Sequence, residues 1–342
     1  MNIQQALAKV INSESLARDE MQAVMKQIMT GEATPAQIGG FLVAMRMKGE
    51  TVEELTAAVS VMRELATPVS INVDNLVDTC GTGGDGAHLF NVSTASAFVV
   101  AASGAHVAKH GNRSVSSSTG SADVLEEAGV KLTLPPQAVA SAISDVGVGF
   151  LFAQAHHSAM KHAIGPRKEL AQRTLFNILG PMTNPAGVKR QVIGVYDKSL
   201  CRPMAEVLKN LGSEHVLIVH AADGLDEFSV ASDNVVAELR NGEIKEYQIS
   251  AADFSLSHEN LEGLSVQTAA ESLALIKNVF NGKSDVQTEK AADMIALNAG
   301  AAIYVSGVAG SFAHGVAMAQ DAISTGMAGE KLKQLVEFSQ CH

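Results

Sequence analysis

The sequence contains no tryptophan, and aromatic residues make up only 4% of its 342 positions. It has three cysteines, Cys80, Cys201 and Cys341, whose spacing matches no metal-binding motif. So few cysteines in a chain of this length argue against a disulfide scaffold and for a reducing compartment. No apolar run approaches the roughly 18 residues that a membrane span needs, and the N-terminus lacks the pattern of a signal peptide. We therefore expect a cytoplasmic protein with a core of aliphatic residues and methionine.

The excess of acidic residues excludes another group of functions. The chain has 36 Asp and Glu against 25 Lys and Arg, a formal net charge of −11. A field of this sign repels nucleic acid and anionic membranes, so we expect neither as a partner. A negatively charged ligand would need metal ions or a local group of donors. The length and the 46% hydrophobic content predict two domains with well-formed cores.

The first 67 residues predict short amphipathic helices. Thr34, Pro35 and Gln37 form the cap, first-turn proline and capping-box glutamine of one helix, and Thr51 with Glu54 begins the next. Beyond residue 68, short β-rich runs alternate with helical stretches, which is typical of an α/β fold with a mainly parallel sheet flanked by helices. From residue 268 the pattern is helical again. The predicted strands are residues 76–80, 106–109, 148–152, 191–195 and 216–219, with a hairpin at 235–239 and 245–249.

The most informative segment is DTCGTGGDGAHLFNVST, residues 78–94. Its glycines let the backbone approach phosphate groups and turn N–H groups toward them, and a helix starting at Ser93 and Thr94 adds free donors. Most glycine-rich turns are only turns, but Asp85 and the NVST run favour an anion site. The helix does not follow the glycines directly, and no Gly-Lys-Ser/Thr ending is present. A dinucleotide fingerprint and a nucleotide P-loop are therefore excluded, and a nicotinamide oxidoreductase is the least favoured function.

Two further segments carry candidate ligands. In KHGNRSVSSSTGSADVLE, residues 109–126, cations and hydroxyl groups follow a strand, and Ser121 is predicted to cap the next helix. The alternative is a solvated loop, which rarely combines cations with capping hydroxyls at a strand end. Asp226 and Glu227 follow another strand, and such a pair suits a divalent cation shared with phosphates. Alone, two acidic residues in a turn usually indicate only a solvated turn.

Together these segments resemble the anthranilate phosphoribosyltransferase family of tryptophan biosynthesis, and the resemblance covers almost the whole chain. KHGNR combined with FNILGPMTNP is specific to this family within its superfamily. The resemblance implies transfer of the phosphoribosyl group of phosphoribosyl pyrophosphate (PRPP) to anthranilate, with two Mg²⁺ ions per subunit. It implies a homodimer through a small all-helical domain, residues 1–67, joined by a helical segment near 165–188. A larger α/β domain, residues 73–342, would complete the active-site cleft.

The resemblance also assigns roles to residues. No catalytic residue is certain, although Lys109 and Arg113 could stabilise charge. Ser93, Asp226 and Glu227 would bind the metal ions, and anthranilate would face Gly81, Asn112, His157 and Arg167. The residues implied to bind PRPP are Gly81, Gly84, Asp85, Asn91, Val92, Ser93, Thr94, Lys109, His110, Gly111, Asn112, Arg113, Ser114, Val115, Ser116, Ser117 and Ser121.

Several alternatives remain at this point. Spacing alone favours a structural role for the cluster of His156, His157 and His162, and only the resemblance favours a site role for His157. A zinc site there is disfavoured because no cysteine or acidic residue joins the cluster. A pyrimidine nucleoside phosphorylase would share the fold but would need base-recognition residues in place of KHGNR. A non-catalytic nucleic-acid-binding relative is disfavoured by the acidic balance and by the intact segments KHGNR (residues 109–113) and DGLDE (residues 223–227).

Overall fold

The computed structural model describes residues 1–114 and 118–342. Val115, Ser116 and Ser117, which the resemblance assigns to PRPP, lie outside the described residues. The chain begins with four helices, α1 (Ile3–Ile11), α2 (Arg18–Thr30), α3 (Pro35–Lys48) and α4 (Val52–Leu65). We call these the helical bundle. Thr34 and Thr51 cap α3 and α4 in capping boxes with Gln37 and Glu54, as the sequence predicted.

One sheet of seven strands occupies the centre of the described part of the chain, in the order β3-β2-β1-β4-β5-β6-β7. Strands β1 to β5 run parallel, and β6 and β7 add an antiparallel hairpin at one edge. This arrangement confirms the predicted mainly parallel sheet and its hairpin. The strands are β1 (Leu76–Gly81), β2 (His106–Gly111), β3 (Val148–Phe152), β4 (Arg190–Gly194), β5 (His215–Ala221), β6 (Asn234–Arg240) and β7 (Glu243–Ile249).

Helices cover both faces of the sheet, as in other parallel sheets whose strands are buried on both sides. The remaining helices are α5 (Val92–Ala102), α6 (Ser121–Glu127), α7 (Pro136–Val146), α8 (Ala153–His156), α9 (Lys161–Leu170), α10 (Leu175–Leu179), α11 (Cys201–Asn210), α12 (Ala269–Phe280), α13 (Val286–Ser306), α14 (Phe312–Ser324) and α15 (Met327–Cys341). No helix of the described residues is both long and apolar enough to cross a lipid bilayer.

The two faces of the sheet have separate apolar cores. On one face, α13 is buried along almost its whole length and packs with α5, α12 and α14. On the other face, α11 lies against β5 and β6, and its buried side chains belong to the same core as those of the helical bundle. Phe41 and Leu42 of α3 thus share one apolar cluster with Ile193 of β4 and Val216 of β5. The bundle is attached to the sheet by continuous packing as well as by the chain.

Candidate active site

Three neighbouring parallel strands end in glycine at the same edge of the sheet: β1 at Gly81, β2 at Gly111 and β4 at Gly194. A Cβ atom at any of the three would overlap a neighbour. At Gly81 and Gly194 the neighbour is Asp226, through its carboxylate and its backbone oxygen respectively, and at Gly111 it is the Ser121 hydroxyl. Only glycine therefore lets the chain segments carrying these polar groups close onto the strand ends.

The loop after β1 has the backbone of an anion cradle. Gly83, Gly84 and Gly86 adopt positive φ angles of 67°, 80° and 78°, which other residues rarely tolerate. Asp85 lies between the last two and accepts a hydrogen bond from the backbone N–H of Ala87 at 3.2 Å. Successive residues in this conformation can turn their N–H groups toward one anion.

The start of this loop is tied to the sheet. The Thr82 N–H donates to the carbonyl of Gly194 at 3.0 Å, and the Thr82 hydroxyl accepts from the Tyr196 N–H at 3.2 Å. The Gly83 N–H donates to Oδ2 of Asp226 at 2.6 Å. The glycine loop, the end of β4 and the segment after β5 are therefore one connected structure.

Helix α5 begins directly beside the loop, with Asn91 at its N-cap and Val92 as its first residue. The Asn91 carboxamide oxygen accepts from the Ser272 hydroxyl at 2.8 Å, which fixes the residue that precedes the helix. The Thr94 hydroxyl is buried and finds no hydrogen-bond partner within residues 1–114 and 118–342. A buried polar atom without a partner is costly unless a ligand satisfies it. An unsatisfied hydroxyl at the start of a helix suits an anion.

Lys109 supplies a buried positive charge next to α5. Its side chain is only 3% exposed, and its ammonium group donates to the Thr79 carbonyl at 2.8 Å and to the Ser93 hydroxyl at 3.3 Å. Burial lowers the pKa of Lys109, while the nearby carboxylate of Asp78 and the charge of Glu227 oppose that shift. The ammonium group therefore lies among acidic residues and beside Ser93.

The acidic pair, Asp226 and Glu227, lies beside Ser93, Lys109 and the glycine loop. The backbone N–H of Ser93 interacts with the Glu227 carboxylate, and Lys109 is the nearby cation. Burial raises the pKa of Asp226, with a further increase from Asp85, and burial also raises the pKa of Glu227, with a further increase from Asp226. The structure thus brings Ser93 together with the acidic pair, and the Lys109 charge only partly opposes the raised pKa of Glu227.

This donor set fits magnesium. Carboxylate and hydroxyl oxygens are the ligands of a hard divalent cation, and crowded carboxylates with raised pKa values favour one. No three His, Cys, Asp or Glu side chains of the described residues are arranged around one metal position. Magnesium commonly takes only one or two protein carboxylates and completes its shell with water and substrate phosphates, so the set of Ser93, Asp226 and Glu227 is sufficient.

Two buried histidines, His110 and His157, lie side by side near the end of β2. The His110 and His157 rings lie 5.3 Å apart, and Nε2 of each is buried without a partner among the described residues. Burial lowers the pKa of His110 well below its usual range and that of His157 to about 4. His156 instead bonds through Nδ1 to the carbonyl of Thr67 at 3.0 Å, and the His162 ring packs against Gly31. The histidine cluster therefore divides into two structural members and one, His157, whose ring nitrogen is unsatisfied.

Arg167 and Asn112 occupy different surroundings. The Arg167 guanidinium lies 5.4 Å from the centre of the Phe176 ring, and burial lowers its pKa. None of the ion pairs among the described residues includes Arg167, so its guanidinium group is available to a ligand. The Asn112 carboxamide oxygen accepts from the Arg113 N–H at 2.8 Å and from Gln154 at 3.4 Å.

The sequence prediction that Ser121 caps the next helix is wrong. Gly120 is the N-cap of α6, and Ser121 is its first residue. The Asp123 carboxylate, at the third residue of α6, accepts from the N–H groups of Gly120 and Ser114 at 2.8 and 3.0 Å, which fixes Gly120 rather than Ser121 at the N-cap. The Ser121 hydroxyl donates to the Asn112 carbonyl at 3.3 Å.

Arg113 is already paired with carboxylates. Its guanidinium contacts Asp123 at 3.1 Å and Glu126 at 2.7 Å, and it lies 5.8 Å from the centre of the Phe152 ring. These bonds raise its pKa. Any role of Arg113 in stabilising charge would require it to leave these partners, whereas Lys109 already lies at the acidic pair.

Sequence reasoning did not single out the buried polar group beneath the site. Asp78 is fully buried and accepts from the His110 N–H at 3.1 Å, from Asn184 at 2.8 Å and from Gln191 at 3.4 Å. Burial raises its pKa, which the Lys109 charge opposes. Asp78 of β1 is thus linked to both neighbouring strands, β2 and β4. An acidic residue inside an apolar strand was the available signal.

Comparison with known proteins agrees with this geometry. Residues 4–66 match the model of the glycosyl transferase family, helical bundle domain, and residues 73–329 match that of the glycosyl transferase family, a/b domain. The chain is 67% identical to the anthranilate phosphoribosyltransferase of Teredinibacter turnerae and 68% identical to that of Saccharophagus degradans, each over 99% of both chains.

Solved structures give the same result. The anthranilate phosphoribosyltransferase of Thermus thermophilus is 41% identical, with a TM-score of 0.92 over 98% of this chain and 99% of that one. A structure from Saccharomyces cerevisiae, determined in complex with PRPP and Mg, has a TM-score of 0.90 at 24% identity, over 99% of this chain and 98% of that one. The resemblance and the fold class drawn from the sequence are confirmed, and the chain belongs to the anthranilate phosphoribosyltransferases of this glycosyl transferase family.

Proposed function

We propose that this protein transfers the phosphoribosyl group of PRPP to the amine of anthranilate, giving N-(5-phosphoribosyl)anthranilate and pyrophosphate in tryptophan biosynthesis. The observation that carries this proposal is the convergence of Ser93, Lys109, Asp226 and Glu227 beside the glycine loop. Hydrogen-bond donors suited to phosphate, a buried cation and side chains suited to magnesium lie together there. Relatives of 59–68% identity over the full length bear the name of this enzyme.

The donors beside β1 and β2 would bind PRPP. The glycine loop, from Gly81 to Asp85, would offer the backbone N–H groups of Gly84 and Asp85, and the start of α5, from Asn91 to Thr94, would offer the hydroxyls of Ser93 and Thr94 to pyrophosphate. Ser93, Asp226 and Glu227 would hold magnesium, with two ions per subunit. Magnesium use is consistent with the yeast relative, which was crystallised with PRPP and Mg.

Anthranilate would lie against His157 and Arg167. The Arg167 guanidinium can donate two parallel hydrogen bonds to the anthranilate carboxylate. The neutral His157 ring can face the aromatic ring of anthranilate. Asn112 and Gly81 would complete this side. Another yeast structure was determined with 4-fluoroanthranilate, a ligand with the same carboxylate and amine.

The reaction forms a bond between the anthranilate nitrogen and C1 of the ribose and breaks the bond from C1 to pyrophosphate oxygen. An aromatic amine is a weak nucleophile, so departure of pyrophosphate should lead, and the amine proton then passes to solvent or to pyrophosphate. Magnesium, when bound, neutralises charge on pyrophosphate. Lys109 keeps a fixed positive charge beside Ser93 in a buried place, where it stabilises charge without reorganisation. The neutral His157 would hold anthranilate in position.

The helical bundle supports the proposed homodimer. Val43 and Met47 of α3 and Ile164 of the adjacent α9 are exposed, with Met47 at 83%. Exposed apolar side chains on neighbouring helices are typical of an interface. The domains would be residues 1–67 with a helical segment near 165–188, and residues 73–342. The family models that match residues 4–66 and 73–329 are consistent with this division.

Loss of anthranilate fluorescence tests the proposed function directly. We expect loss only when PRPP and magnesium are both present, together with release of one pyrophosphate for each anthranilate consumed. The same preparation should not release thymine or uracil from nucleosides in the presence of phosphate. Release of a pyrimidine base without anthranilate consumption would favour the nucleoside phosphorylase alternative instead.

Replacing Arg167 by alanine should raise the KM for anthranilate at least about 10-fold, the usual scale of a lost charge-assisted hydrogen bond. The KM for PRPP should change less than about twofold, because in this assignment Arg167 does not contact PRPP. Arg167→Lys should recover only part of the loss, since a lysine lacks the planar fork. Lys168→Ala, at the exposed neighbouring position, is the control. Equal increases in both KM values for Arg167→Ala would remove Arg167 from this role.

A further inference from the structure

Arg173 links three parts of the molecule and has no part in the site described above. It lies in the segment between α9 and α10 and is exposed. Its guanidinium lies 4.2 Å from the centre of the Tyr196 ring, and its Nη2 group donates to the carbonyl of Gly84. Its own carbonyl accepts a hydrogen bond from Nη1 of Arg46 in α3.

The contact with Gly84 falls where the glycine loop has few other supports. Thr82 and Gly83 are held by the sheet and by Asp226, but Gly84 has no side chain and a φ of 80°. A peptide with this freedom can rotate its N–H and carbonyl groups at little cost. The Arg173 guanidinium also packs 3.4 Å from the position that a Gly84 Cβ would occupy. It therefore restricts both the direction of the Gly84 carbonyl and the path of the loop.

Tyr196 and Arg46 hold Arg173 in turn. A guanidinium stacked on an aromatic ring keeps its orientation better than a free arginine side chain, and the stacking adds a cation–π attraction. The bond from Arg46 fixes the backbone of the same residue to the helical bundle. The chain of contacts therefore runs from α3 through Arg173 to Gly84.

We propose that Arg173 is a positioning residue for PRPP binding, which orients the glycine loop from the side of the helical bundle. This inference rests on the proposed function, because it assigns the loop to PRPP. Arg173 acts through the Gly84 peptide, so its loss leaves the binding groups in place but lets the loop sample orientations that do not bind. Preorganisation of this kind contributes to affinity without a contact of its own.

Arg173→Ala should raise the KM for PRPP about 10-fold, in the range of one lost hydrogen bond and one stacking interaction. The KM for anthranilate should stay within about twofold. The thermal midpoint should barely change, because exposed side chains contribute little to stability. Arg202→Ala removes another exposed arginine, on α11, and serves as the control. Calorimetric titration with PRPP and magnesium should show the same loss of affinity.

Tyr196 and Arg46 distinguish positioning from a simple charge effect. Tyr196→Leu removes the ring and should raise the KM for PRPP in the native background but have no further effect in Arg173→Ala, whereas Tyr196→Phe keeps the ring and should behave as wild type. Arg46→Ala should show the same dependence with a smaller effect. If Arg173 acted only by its charge, Tyr196→Leu would leave the KM for PRPP unchanged, and that result would overturn the inference.

The two proposals fail in different ways. If the wild-type protein does not consume anthranilate with PRPP, the proposed function fails before Arg173 is examined. If the wild type is active and Arg173→Ala binds PRPP as tightly as Arg202→Ala does, the function stands and the role of Arg173 is wrong.

Discussion

The double variant Asp226→Asn, Glu227→Gln is expected to lose about 10³-fold or more in kcat/KM at any magnesium concentration, the scale of removing a main source of charge stabilisation. The substitutions keep the size of each side chain but remove the charges that would hold magnesium. The same change should leave the protein as stable as the wild type or more stable. Burial raises the pKa of both groups, with a further increase from Asp85 at Asp226 and from Asp226 at Glu227, so their ionised forms are a cost in the unliganded protein.

Magnesium titration and thermal unfolding of the same samples measure both effects. Asp233→Asn is the matched control, because Asp233 lies in the same connection between β5 and β6 but is exposed, and its substitution should leave both measurements unchanged. An unaltered magnesium dependence in the double variant would refute the metal assignment. A large drop in thermal midpoint would instead show that the carboxylates stabilise the fold, contrary to the cost of ionisation described above.

Gly194→Ala should have the second large effect, although Gly194 is not assigned a contact with either substrate. The added methyl group would overlap the backbone of Asp226, so the segment carrying the acidic pair must move. The Gly194 carbonyl also accepts from Thr82, so the glycine loop would shift with it. We expect about 10²-fold lower kcat/KM and destabilisation of about 1–3 kcal/mol, the usual cost of overpacking.

Gly39→Ala provides the control for this substitution. Gly39 lies in α3 with an ordinary φ and no other group within 4 Å of its Cβ position, so alanine there should keep activity and stabilise the helix slightly. Steady-state kinetics and thermal unfolding compare the two variants. Wild-type activity in Gly194→Ala would mean that the segment at Asp226 can move without consequence, and the close packing at the strand ends would then have no functional role.

The local elements were predictable because each depends on neighbouring residues. Capping boxes at Thr34 and Thr51, the change from helical to β-rich patterns and the turn at Asn241-Gly242 all have short-range causes. The candidate ligands in the glycine loop and in DGLDE were also accessible, since polar residues that follow parallel strands meet at one edge of a sheet. Their convergence follows from the strand order β2-β1-β4-β5, which the sequence did not specify.

The errors and omissions involve side-chain contacts that residue type alone does not reveal. Ser121 is a residue type common at helix N-caps, but Asp123 bonds the N–H groups of Gly120 and Ser114, and the N-cap lies one residue earlier. The sequence predicts Arg113 as a cation available to a ligand, but Asp123 and Glu126 of α6 form ion pairs with it. Arg173 lies 89 positions from Gly84, and no local pattern indicates that pairing. These residues could be assigned only after the tertiary packing was known.

The apolar cluster that joins Phe41 to Ile193 limits how the chain can be divided. A fragment starting near residue 73 would expose the outer surface of α11 and part of one sheet face to water, and such surfaces promote aggregation. Although two separate family models match this chain, we expect that the bundle and the sheet cannot be exchanged as independent modules. Any chimera would have to transplant both sides of that cluster together.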